Sequence, residues 1–93
     1  MTNAEGDFSM EQSLIMCRSL TYAQRAMKAL ERGGVAVSLI KAPQAVSSAG
    51  CAYGLRISSR NLKYSIDLLR RGNLPFGKVY RYLANGKLEE VSV

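Results

Sequence analysis

The sequence predicts a small α+β domain, and three observations carry that prediction. Short apolar runs alternate with two helical patterns. Each helical pattern opens on a serine or threonine and closes on glycine. Near the C-terminus, Asn85-Gly86 separates two further short runs, the signal of a tight hairpin. The resulting order is β-α-β-β-α-β with one added hairpin strand. That is the ferredoxin-like arrangement: an antiparallel sheet with both helices on one face. At 93 residues the chain supports a single core and one domain. Residues 1–12 show no period and are expected as a flexible tail, leaving residues 13–93 as the domain.

The elements follow in order. Residues 14–17 (Leu-Ile-Met-Cys) form an apolar run suited to a strand in the middle of a sheet. Cys17 lies inside it and is expected to be a small buried hydrophobe. Thr21 and Gln24 have capping-box spacing, so a helix is expected over residues 21–32. Ala23, Ala26, Met27 and Leu30 share its apolar face, and Gly33-Gly34 ends it. The β-branched run 35–40 predicts the second strand. In the third, residues 53–57, Tyr53, Leu55 and Ile57 alternate with Gly54 and Arg56. Ser58 or Ser59 is expected to cap a second helix over 59–71, carried by Leu62, Ile66 and Leu69 and stopped by Gly72. Residues 79–83 and 87–91 supply the last two strands.

Composition removes several functions. The chain has no histidine, hence no Ser-His or Cys-His pair and no imidazole metal ligand. Two well-separated cysteines do not make a structural zinc site, and neither metal nor cofactor is expected. No run approaches membrane-span length, and no basic segment leads an apolar core near the N-terminus. A cytoplasmic, reducing location is therefore expected, with unpaired thiols. The net charge of +6 favours acidic partners, nucleic acid or protein.

One stretch stands apart from this pattern. Between the second and third strands runs P-Q-A-V-S-S-A-G-C-A-Y-G-L-R, Pro43 through Arg56. Pro43 marks a strand end. Ser47, Ser48 and Gly50 are turn formers, and Gly50 frees the backbone immediately before Cys51. Cys51 is therefore expected on a loop at the sheet's edge, with Tyr53 packing beside it.

These residues resemble a family of small bacterial domains described as selenium- or sulfur-carrier-like. The resemblance covers most of residues 14–91. It rests on a Ser/Thr-started, alanine-bearing helix, then G-V-x-V and an apolar strand, then P-x-x-V-S-S-x-G-C-x-Y-x-L-R, a leucine-rich helix and a terminal Y-R strand. It implies a carrier rather than a turnover enzyme, with Cys51 as the carrier thiol. It also implies a cysteine desulfurase-like donor and a sulfur or selenium acceptor protein as partners.

Carrier chemistry needs a thiolate, and a free thiol with a pKa near ~8.5 is mostly protonated at neutral pH. In the expected topology the Cys51 loop sits where the first strand ends and the first helix begins. The amides of Thr21, Tyr22 and Ala23 are then expected to face the sulfur. Arg18, Arg70 and Arg71 are expected to add positive charge, and the amides around Ser47, Ser48 and Gly50 an anion-holding concavity. The alternative is a binding module, dimeric or RNA-binding, with bases stacked on Tyr80 and Tyr82 near Arg56 and Arg81. The aromatic signature of RNA-binding sheets is missing from its central strands.

Overall fold

A computed structural model of the chain describes residues 11–43 and 53–93. Its elements are β1 (Gln12–Cys17), α1 (Leu20–Arg32), β2 (Ser38–Lys41), β3 (Tyr53–Ser58), a 3-10 turn (Ser59–Asn61), α2 (Leu62–Arg71), β4 (Val79–Tyr82) and β5 (Leu88–Val91). The five strands form one sheet in the order β2-β3-β1-β4-β5, every neighbouring pair antiparallel. The α+β expectation holds. β1 begins at Gln12, a residue assigned from the sequence to the tail.

Strand periodicity divides the sheet into two faces. Ile15 and Cys17 of β1, Leu55 and Ile57 of β3 and Val79 of β4 share one buried cluster. Ala23, Ala26 and Leu30 of α1, Val35 after it, and Ile66 and Leu69 of α2 complete that cluster, so both helices cover the same face. The opposite face carries Leu14 and Met16, with Ile40, Ala42, Tyr80, Tyr82 and Leu88 packed against them. Although neither described helix covers them, Leu14 is 0% and Met16 1% exposed. Gly54 contributes to this. A Cβ there would stand 2.7 Å from Leu14 Cδ1 and 3.3 Å from Met16 Sδ, so both side chains lie directly over its backbone.

Both helices end in Schellman motifs. At α1, Val35 N–H donates to the Leu30 carbonyl at 2.9 Å and Gly34 N–H to that of Glu31 at 3.0 Å. Gly34 takes the left-handed position with φ 89°. At α2, Leu74 N–H reaches the Leu69 carbonyl at 2.9 Å and Asn73 N–H that of Arg70 at 3.1 Å. There the left-handed residue is Asn73, with φ 55°, and not the glycine before it. The stop at Gly72 is therefore completed by its neighbour.

Helix starts differ from expectation. α1 is capped by Ser19, whose Oγ accepts from Tyr22 N–H at 3.3 Å, and Thr21 lies inside the first turn. At α2, Ser58 belongs to β3 and makes no side-chain cap; Ser59 opens the 3-10 turn and hydrogen bonds Ser13 Oγ at 2.7 Å. β2 is shorter than the β-branched run 35–40, because Val35 closes the Schellman motif of α1. The final hairpin is wider than a two-residue turn. Gly86 N–H donates to the Leu83 carbonyl and Leu83 N–H to that of Lys87, placing three residues in the loop. Gly86 alone takes positive φ, 83°, which fits a turn followed by a glycine bulge.

Candidate functional site around the Cys51 loop

Ser47, Ser48, Gly50 and Cys51 lie outside the described residues, and the strand ends on either side of that segment are described. The chain leaves β2 at Lys41 and enters β3 at Tyr53, and these two residues are cross-strand partners. On its other side Tyr53 pairs with Cys17, the last residue of β1. Arg18 and the cap Ser19 follow at once. The loop anchors thus stand at the sheet end where β1 finishes and α1 starts, as the topology required.

Tyr53 is half-buried and packs against the helix-side core. Cys17 is 0% exposed in the central strand, with Sγ 4.0 Å from the Ile15 carbonyl oxygen. The expectation of a buried thiol holds. Arg18 is exposed and makes no ion pair among the described residues.

The helix terminus offers less than expected. Of the three amides, Tyr22 N–H is taken by Ser19 Oγ, and Ala23 N–H donates to the Ser19 carbonyl at 2.9 Å. Thr21 keeps its amide, but its side chain is not the cap. The cause is the early helix start: once Ser19 caps, the third and fourth amides of α1, those of Tyr22 and Ala23, serve the helix itself.

The α2 cations are also engaged elsewhere. Arg71 pairs with Asp67 at 2.9 Å, one helical turn back. Arg70 donates from Nη2 to the Val93 carbonyl at 3.0 Å, tying α2 to the chain's C-terminal end. Lys41 was missed from the sequence. It is exposed, has no ion pair among the described residues, and stands beside Tyr53. Its signal was a lysine ending an apolar strand just ahead of a proline.

The chain leaving β2 turns towards the helix-free face. Ala42 packs against the Leu14–Met16 cluster. Pro43 lines an open depression of about 710 Å³ together with Tyr80, Tyr82 and Leu88. Tyr80 and Tyr82 thus share a face, as their spacing implied. Arg56 joins it, opposite Leu14 and Ser38. Arg81 does not. Its partners across the sheet are Ser13 and Glu89, on the other face, and its Nη2 donates to Glu89 Oε1 at 2.7 Å. That hydrogen bond, with the carboxylate's charge, holds the guanidinium pKa above its ordinary value.

A family model described as "Putative Se/S carrier protein-like" matches residues 12–81. The chain belongs to this family. The match runs from the first residue of β1 into β4 and includes Cys51, whereas β5 follows it. No curated protein matches the chain. No helix among the described residues is long and apolar enough to cross a membrane.

Proposed function

We propose that this Se/S carrier-like domain carries sulfur or selenium on Cys51. One observation supports the choice of residue. The chain has two cysteines, and Cys17 is fully buried in the central strand, leaving Cys51 as the thiol for exchange. In the loading step the Cys51 thiolate attacks the outer sulfur of a donor persulfide, R–S–SH. The donor S–S bond breaks, R–S⁻ leaves, and Cys51 holds the persulfide Cys–S–SH. An acceptor thiolate then attacks that terminal sulfur and releases the Cys51 thiolate. A donor R–S–SeH gives the selenium form by the same exchange, and neither step consumes an outside oxidant.

The donor in this proposal is a cysteine desulfurase-like enzyme and the acceptor a second protein, in a reducing, cytoplasmic setting. The fold reading behind it is ferredoxin-like. Two features support that reading: β3 lies between β1 and β2, and both helices pack on one face; β5 extends the sheet beyond β4. Arg18 and Lys41 supply positive charge at the segment's anchors, with no ion pair among the described residues. Reversing either to glutamate slows loading by a factor on the order of a few, more at low salt, because screened surface charge acts mainly on encounter.

The test is intact-mass spectrometry after incubation with a cysteine desulfurase and cysteine. Wild type and Cys17→Ser gain one sulfur, while Cys51→Ser gains none. Loading of Cys51→Ser, or no loading of the wild type, sinks the proposal.

A further inference from the structure

At the opposite end of the sheet, β3 passes into α2 through Ser58, Ser59 and Arg60, beside an open cavity of about 530 Å³. Ser13, Ser59, Arg60 and Arg81 line it, and so does Glu11. We propose that this cavity binds a phosphate-type oxyanion, either free or as the phosphate of a larger ester.

The donor inventory supports this. Ser13 is 0% exposed and hydrogen bonds the Ser59 hydroxyl at 2.7 Å. Two hydroxyls sharing one hydrogen bond use one proton, so the other is left to donate. Arg60 is exposed, with no ion pair among the described residues. Arg81 commits Nη2 to Glu89, which leaves further N–H donors of its five on the guanidinium. A tetrahedral oxyanion accepts from hydroxyls and from guanidinium forks alike. α2 sets no carboxylate against this: it begins with no side-chain cap and no acidic residue in its first turn, while its first amide, Leu62 N–H, is taken by the Ser59 carbonyl through the 3-10 turn.

Two carboxylates oppose such a ligand, Glu11 in the lining itself and Glu89 through Arg81. They give the proposal its sign. Removing either raises affinity, and removing Arg60 lowers it. The inference does not rest on Cys51, so it stands or falls apart from the carrier proposal.

The experiment is a ¹H–¹⁵N titration of the full chain with inorganic phosphate, and separately with phenyl phosphate, at ionic strength held constant with sodium chloride. Saturable shifts are expected at Ser13, Ser59, Arg60 and Arg81, and tighter binding of one probe identifies its source as free ion or ester. Arg60→Gln weakens binding about tenfold, the loss of one charge-assisted contact. Glu11→Gln and Glu89→Gln each tighten it. Lys63→Gln, an exposed change on α2 outside the cavity lining, leaves it unchanged. Linear shifts without saturation, or equal losses from Arg60→Gln and Lys63→Gln, would overturn the site in favour of diffuse surface charge.

Discussion

Two residues beside the anchor Tyr53, Cys17 across the sheet and Gly54 next along β3, show how single residues set the local chemistry. Cys17 and Gly54 occupy opposite faces of the sheet beside Tyr53. Cys17, fully buried, is expected to react slowly with iodoacetamide in the native protein, while Cys51 labels fast. The pH dependence of Cys51 labelling rises with its thiolate fraction, and the carrier chemistry expects the inflection below the free-thiol value of ~8.5. Equal rates at both cysteines, or a disulfide in the purified protein, would replace a single-thiol carrier with a dithiol. At Gly54 the constraint is space. A methyl group would meet Leu14 Cδ1 at 2.7 Å and Cγ at 3.2 Å, and Leu14 has no solvent to move into. Gly54→Ala is therefore expected to lower unfolding free energy by about 1–3 kcal/mol, the usual cost of overpacking, as read by urea denaturation. An unchanged midpoint would mean that the helix-free face repacks freely.

At the level of elements, the helix ends make a sharper test. Gly34 has open space where a Cβ would sit, so Gly34→Ala carries only the left-handed backbone penalty, roughly 1 kcal/mol. Asn73 already bears a side chain at the matching position of α2, and Asn73→Gly should stabilise the domain by several tenths of a kcal/mol, about the Asn-to-Gly difference at such sites. If both changes move the thermal midpoint in the same direction, the two ends do not share one motif. These ends also show what the sequence made legible. Paired glycines after an apolar helical stripe mark the end of α1, and alternation in residues 53–57 marks β3. The start of α1 was not legible, because Ser19 and Thr21 are both good caps and only the end of β1 at Cys17 selects the earlier one. The position of the Cys51 loop anchors followed from topology. The engagement of Arg70 and Arg71 did not, because neither Asp67 one turn back nor the carbonyl of Val93 bears on a loop between β2 and β3.

Across the whole molecule, stability should be graded outward from β1. β1 is hydrogen bonded on both sides, along its full length to β3 and at residues 13–15 to β4. Its side chains feed both apolar clusters, so opening it exposes the helix-side core and the Leu14–Met16 layer together. β2 and β5 are edges. β2 has four residues, none fully buried, and β5 likewise carries exposed Glu89 and Glu90 between half-buried Leu88 and Val91. The ion pairs beside β5, Arg81–Glu89 and Lys78–Glu90, are solvent-exposed and add little to stability. Edge segments with few buried contacts open locally at less cost than global unfolding. Native-state hydrogen exchange should therefore find β1 and β3 amides protected to the global free energy. The β4–β5 hairpin should exchange sooner, as a unit hinged at residues 83–87. Added salt should widen that gap by screening the two ion pairs, while leaving β1 unmoved. Equal protection in β5 and β1 would mean that the added strand is part of the cooperative core, and that residues 12–81 do not fold without it.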